Sequence, residues 1–275
     1  MKKIIQISDL HLTSDGQLDA YNQKTDPYTK LQQIFDDIAL KYPDIELIAL
    51  TGDLIHEGVA SDYTRLKTII DTQKEKLGVN IHVILGNHDR TPAFFEGYLN
   101  QAPQDEYYYV IKSDTTSYFF LDTKYDANEQ GMLSSKQLAW LQEELDKDTT
   151  TPKILFTHHP IYGLSVLHRN DSLIINSDQL YEIIQNKNVI GVLSGHLHFT
   201  TTNYYNNILS ITADSSAYHI DLTDQRYASF KDSISYNVIT FNEHSLGVEN
   251  VYLRYDAKPC LQYSFADNTF TIPND

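Results

Sequence analysis

Cysteine is nearly absent: the single thiol, Cys260, leaves no partner for an internal disulfide. That usage suits a reducing compartment, and a cytoplasmic protein is expected. Positive charge is scarce too, with 21 Lys and Arg against 37 Asp and Glu, a formal net charge of −16. Proteins that coat nucleic acid or lie on anionic membranes need a basic face, so neither a nucleic-acid polymer nor a membrane is an expected partner. Long apolar runs are also missing. The opening MKKIIQISDL is interrupted at Gln6, Ser8 and Asp9, too soon for the apolar stretch of a signal peptide, and no run approaches the roughly 20 residues of a membrane helix. The scarcity of cations poses a question of its own. An acidic chain that handles an anionic substrate must find positive charge somewhere.

What is present is an ordinary globular composition, 275 residues of which 41% are hydrophobic, enough to bury a substantial core. The 20 tyrosines read first as strand and half-buried layer residues. Short apolar runs recur at KKIIQIS (2–8), IELIAL (45–50), NIHVIL (80–85), TSYFFLD (116–122), PKILFT (152–157) and NVIGVLS (188–194), each with the length and composition of a buried strand. Helical patterns separate most of them. Asp26 is placed to cap a helix that opens at Pro27 and repeats Leu31, Ile34, Phe35 and Ile38 at helical spacing. SDYTRLKTIIDTQKEKL predicts a second helix, stopping at Gly78. Ser134 with Gln137 predicts a capping box for a third, and Ser177 a cap for a fourth.

This alternation implies right-handed parallel crossovers and an α/β class. Past residue 198 consecutive strands follow, with Asn206-Asn207 as a hairpin turn, which adds an antiparallel, α+β character. One domain is expected over residues 1–255, followed by a C-terminal tail, 256–275, that carries Cys260 and several aromatics and leaves three roles open: covering the site, pairing with another subunit or closing a sheet edge.

Five of the apolar runs end in metal-ligand residue types: Asp9 and His11, then Asp53, then Asn87, His88 and Asp89, then His158 and His159, then His196 and His198. Parallel strands present their carboxyl ends along one edge, where ligands bind, so distant residues would meet at one rim. Gly52, Gly86 and Gly195 are expected to let the backbone turn sharply at that rim. Each piece alone reads as a turn residue or a surface histidine. Together, the seven side chains of Asp9, His11, Asp53, Asn87, His158, His196 and His198 would be desolvated and only partly paired without a cation, at a cost of several kcal/mol.

Carboxylate, amide and imidazole without thiolate point to Mn, Fe or Zn in a catalytic site. Seven ligands suit two divalent or mixed-valence ions sharing one carboxylate, assigned to Asp53. That arrangement activates a bridging hydroxide and polarises a phosphoryl oxygen in two-metal hydrolases, with ions roughly 3.5–4 Å apart. Metal would then be the missing local cation.

The succession D-x-H, G-D, G-N-H-D, H-H-P, G-H-x-H, over residues 9 to 198, resembles the calcineurin-like metallophosphoesterase superfamily. TGDLIHEGVASDYTRL, GMLSSKQLAWLQEEL and SGHLHFTTT are similar to its bacterial class III 3′,5′-cyclic-nucleotide phosphodiesterases. The resemblance implies a four-layer α-β-β-α sandwich with a dinuclear site at its rim. It implies Asp9, His11, Asp53 and His198 on one ion, and Asp53, Asn87, His158 and His196 on the other. It implies for His88 the catalytic task of protonating the leaving oxygen or steadying the transition state. His159, between His158 and Pro160, reads as orienting a ligand or the metal-bound water. In some relatives an acidic residue three positions after the shared Asp orients the catalytic histidine; here His56 stands there, which leaves Asp89 as a candidate for that task.

The expected function is thus phosphodiester hydrolysis of a small molecule, with 3′,5′-cyclic nucleotides as the named substrate. A phosphomonoesterase or pyrophosphate-cleaving enzyme could use the same site, and a non-catalytic scaffold of the same fold is a third reading, disfavoured by the complete ligand set. Tyr125, Tyr162, Phe199, Tyr218 and His219 fall in loops near the site but read as packing. Substrate-binding residues and oligomeric state are left open, and an oligomer is compatible with all of this.

Overall fold

The first three apolar runs form β1 (Lys2–Ile7), β2 (Leu47–Thr51) and β3 (Asn80–Ile84), parallel neighbours in that order, in a computed structural model that describes residues 1–126, 128–243 and 245–273. Between them run α1 (Pro27–Lys41) and α2 (Ala60–Leu77). Both predicted helix ends are present. The Asp26 carboxylate accepts from Thr29 N at 3.0 Å, and Gly78 closes α2 at φ +67°.

After the short α3 (Thr91–Phe94) comes β4 (Tyr109–Lys112), which leads antiparallel into β5 (Ser117–Phe120). The other three apolar runs supply β5, β6 (Lys153–Phe156) and β7 (Val189–Ser194), again parallel, with α4 (Ser135–Asp146) and α5 (Ser177–Ile184) between them. Two caps differ from expectation. Ser134 accepts from Gln137 N at 3.1 Å, but the Gln137 amide turns inward and bonds the main chain of Asp122, so the capping box is half formed. Asn176 takes the cap position of α5, while the Ser177 hydroxyl accepts from Tyr162 N and donates to Ile174 O.

β8 (Thr201–Tyr205) and β9 (Ile208–Thr212) form the expected hairpin, with Asn206 and Asn207 at φ 48° and 63°, the left-handed pair of a type I′ turn. β9 extends the second sheet beside β7. β10 (Tyr218–Asp221), β11 (Tyr227–Phe241) and β12 (Leu246–Tyr255) belong to the first, where β11 lies antiparallel on β1 and carries both neighbours. The tail adds a further hairpin to this sheet, β13 (Leu261–Ser264) on β11 and β14 (Thr269–Thr271) on β13. The last two residues of that tail, 274 and 275, lie outside the described ones.

Alternation along each strand builds three apolar seams. Ile5, Ile7, Ile48 and Leu50 face α1 and α2 through Leu31, Ile34, Leu66 and Ile70. Ile4, Ala49 and Ile84 face the other sheet through Phe120, Ile154, Phe156 and Leu193. Phe119, Leu155 and Val192 face Leu138, Leu141, Leu180 and Ile184 of α4 and α5. The result is the expected four-layer α-β-β-α sandwich. Among the described residues, no helix is long and apolar enough to cross a membrane.

Candidate metal centre

Asp9 and His11 follow β1, Asp53 follows β2, and Asn87 and His88 follow β3. From the other sheet, His158 follows β6, and His196 and His198 follow β7. The carboxyl ends of both parallel triplets meet at one rim, and all seven candidate ligands come together there. Asp9, His11, Asp53 and His198 each place one donor atom within 4.8 Å of the others. His11 Nε2 is 3.1 Å from His198 Nε2, and Asp9 Oδ1 lies 3.3 Å from the latter. Asp53 Oδ2 stands between the two halves, 3.5 Å from His11 Nε2 and 3.4 Å from His158 Nε2. Asn87 Oδ1 is 3.0 Å from His158 Nε2, and the His196 ring lies 5.0 Å from the His158 ring.

The backbone here is unusual. Asp9, His11, Asp53, His196 and His198 all have positive φ, between 44° and 73°, a region that costs a side-chain-bearing residue about 1–3 kcal/mol and clusters at functional sites. Gly52, at φ +91°, does supply the expected sharp turn. Gly86 and Gly195 serve a different end, close approach. A Cβ on Gly86 would fall 2.2 Å from Asp53 Oδ1, and one on Gly195 would strike Ser8 Oγ and sit 2.5 Å from Asp9 Oδ2.

Hydrogen bonds preset the donors. His158 Nδ1 donates to Thr51 O at 2.9 Å and His198 Nδ1 to Tyr218 O at 2.8 Å, so Nε2 of each ring faces the cluster. Asp9 accepts from Ser8 Oγ at 2.5 Å and from His196 N at 3.0 Å. Burial drives the imidazoles of His11, His159 and His196 well below their ordinary range. Burial acts likewise on His158 and His198, but Asp53 and Asp9 outweigh it, raising His158 to about 9 and His198 above its usual value. Burial disfavours the charged form of Asp53, yet neighbouring His158 and His88 hold it well below the usual carboxylate range. Buried carboxylates that gather protons onto adjacent imidazoles form a site that demands positive charge, and the oxygen and nitrogen donors suit borderline divalent cations.

The neighbours expected to orient these groups divide. His159 shares a donor cluster with His158 and His196; its Nδ1 meets Thr123 Oγ1 at 2.8 Å, and its buried Nε2 has no hydrogen-bond partner among the described residues. No hydrogen bond joins Asp89 to the His88 ring among the described residues. The Asp89 carboxylate accepts from the main-chain N–H of Leu54, Ile55 and Gly86 and from Tyr63 OH, at 2.8–3.1 Å, which ties the loop after β3 to the loop after β2. The rings beside His88 are instead those of His56, with centroids 4.6 Å apart and planes 25° apart, and of His11, with centroids 5.1 Å apart.

A cleft of about 350 Å³ opens over Asp53, His88, His196 and His198. Tyr218 lines it, whereas Tyr162, Phe199 and His219 line other hollows. Glu129, Arg169 and the aromatic side chains of the tail also line it. No motif surrounds them, so sequence reasoning passed them over; only the tail's aromatic density hinted at a role.

A probable glycerophosphodiester phosphodiesterase of Arcobacter nitrofigilis is 29% identical over 80% of this chain and 80% of its own. A probable cyclic nucleotide phosphodiesterase of Rhodococcus erythropolis is 28% identical over 80% of this chain and 72% of its own. In fold, a dimetal phosphatase from Danio rerio superposes with a TM-score of 0.61 at 14% identity, over 93% of this chain and 99% of that one. The family model described as calcineurin-like phosphoesterase matches residues 2–199. That match opens with β1, closes one residue past His198 and takes in every candidate ligand; the chain belongs to the calcineurin-like phosphoesterase family.

Proposed function

We propose that this protein is a dinuclear metal-dependent phosphodiesterase that hydrolyses a small diester, with 3′,5′-cyclic nucleotides as the named substrate. One observation carries the reading: a single carboxylate oxygen, Asp53 Oδ2, lies within 3.5 Å of imidazole nitrogens from both halves of the cluster. Asp9, His11, Asp53 and His198 would hold one ion, and Asp53, Asn87, His158 and His196 the other, with His159 beside the second. Mn, Fe or Zn fits these donors. Such ions, when bound, supply Lewis-acid polarisation of the phosphoryl group and a nucleophilic oxygen at neutral pH.

The chain supplies the rest. Hydrolysis joins the oxygen of one water to phosphorus and breaks one ester bond, and the departing oxygen needs a proton. His88 borders the cleft and would hand over that proton, then recover one from solvent. The names of the relatives support a phosphodiester substrate, and the free, buried Cys260 suits the reducing cytoplasm proposed as its location.

The test is to strip the protein with chelator, restore Mn²⁺ and compare bis(p-nitrophenyl) phosphate with p-nitrophenyl phosphate. Cleavage restored by metal and faster on the diester is expected. Faster cleavage of the monoester would convert the assignment to a phosphatase.

A further inference from the structure

Aromatic rings form an unbroken path from the metal cluster to the surface. The His198 ring lies 4.2 Å from that of Tyr218, Tyr218 lies 4.9 Å from Tyr21, and Tyr21 stacks on Phe230 at 4.5 Å with planes 4° apart. Phe230 lies 6.0 Å from Phe270, and Phe270 lies 4.9 Å from Tyr263. The near half of the path is ordinary core: Tyr218 and Phe230 are 2% and 6% exposed and pack with Ala20, Ala217 and Ala228. The far half is not. Phe270 is 54% exposed and Phe265 44%, yet both line the same cleft as Asp53 and His88. Packing accounts for a buried ring; it does not account for open phenyl faces on the wall of a cleft that ends at the candidate metal ligands.

We propose that the C-terminal hairpin forms a nucleobase subsite, in which Phe270, flanked by Tyr263 and Phe265, stacks on the base of a nucleotide diester whose phosphate lies at the metal cluster. This rests on the phosphodiesterase reading and deepens it by placing the base of the substrate on named residues. Three features commit the wall to this occupant. Open aromatic faces match a flat heteroaromatic ring, which a glycerol diester lacks. The cleft, about 350 Å³, falls in the range of small-molecule sites, roughly 300–1,000 Å³. Arg169, the one Lys or Arg among its described lining residues, gives an anion a local cation in a chain of net charge −16. Arg169 is held by Ser172 Oγ at 2.9 Å and lies 3.7 Å from Asp171. All three hairpin aromatics stand beyond residue 199, where the family match ends. The common core would thus carry the chemistry and the added hairpin the choice of substrate.

Phe270→Ala and Phe270→Trp, at an exposed position, separate stacking from folding. With Mn²⁺ restored, steady-state KM is measured for 3′,5′-cyclic AMP and for glycerophosphoethanolamine, which has no ring. The ratio of the two KM values is expected to rise about tenfold in Phe270→Ala and to return towards wild type in Phe270→Trp. A second readout needs no turnover: calorimetric binding of cyclic AMP to the chelator-treated full chain should weaken by a similar factor in Phe270→Ala. Weakened binding in a protein that cleaves neither diester would uphold the subsite and reject the hydrolase reading. Equal binding by wild type and Phe270→Ala would overturn the subsite whatever the turnover. A change in sedimentation without a change in binding would also overturn it, by giving the exposed face to a second copy of the chain.

Discussion

His88 is fixed by its main chain and open at its ring. Its N–H donates to Asp53 Oδ1 at 2.9 Å, its carbonyl accepts from Glu57 N at 3.1 Å, and the imidazole rests on His56. Neither ring nitrogen is engaged in a hydrogen bond among the described residues, as a group that must meet a leaving oxygen requires. Replacing it should therefore hurt in proportion to the need for a proton. His88→Ala is expected to lower kcat on 3′,5′-cyclic AMP by about 10²–10⁴-fold, and bis(p-nitrophenyl) phosphate much less, because p-nitrophenolate departs without protonation. Steady-state rates on the two substrates decide it, and equal losses would replace proton donation with charge stabilisation. The candidate donors could be read from the sequence because each ends a recognisable strand. The difference between His88 and Asp89 could not. Adjacent in GNHDR, one faces the cleft and the other is sealed among four donors, and only the turn of the loop decides which.

Strand ends and the turns beyond them determine where the cluster forms. The six apolar runs, two of the predicted helix ends and the Asn206-Asn207 hairpin were legible because each rests on local chemistry: β-branched runs, an Asp-Pro helix start, a left-handed glycine and a left-handed Asn pair. β4 and the tail hairpin were not, since short, mixed strands gain their identity from the neighbours they pair with. Nor was the reason for the glycines fully visible. A Cβ on Gly52 would stand 2.4 Å from His158 Nδ1, the atom that donates to Thr51 O, and φ there is +91°. Gly52→Ala must therefore displace the His158 ring and strain the turn at once. Disturbing such support of a ligand lowers metal affinity about 10–100-fold. Competition for Mn²⁺ against a fluorescent chelator should show a loss of that order with the circular dichroism spectrum retained. Unchanged affinity would mean that His158 does not depend on that turn, or holds no metal.

At the scale of the whole molecule, a half-buried imidazole and a buried carboxylate away from the metal cluster set opposing responses to acid. His82, on β3, turns its ring towards the other sheet, 5.1 Å from Phe120, and burial, with a smaller push from Lys74, lowers its imidazole to about 4. Between pH 6.5 and about 4 the unfolded chain binds a proton here that the folded chain refuses. The stability this site contributes above pH 6.5 is thus lost as pH falls. Asp122, just past β5, is raised to about 6 by burial, against hydrogen bonds from Tyr107 N and Lys124 N. Its folded form keeps a proton that the unfolded form has released, so its contribution is greatest at low pH and is lost as pH rises through 6. In the same window the two slopes oppose one another, and removing one exposes the other. His82→Phe keeps an aromatic ring against Phe120 and deletes the titration. Discounted for the partial solvent exposure of the ring, the variant should gain on wild type by about 1–2 kcal/mol between pH 7 and 4, or a few degrees in Tm for a chain of this size. Paired thermal melts of metal-stripped wild type and variant at pH 7.0 and 4.5 provide the comparison. A Tm difference that does not change with pH would show that His82 titrates in the fold as it does in the open chain, and that the layer between the sheets admits more water than its packing implies.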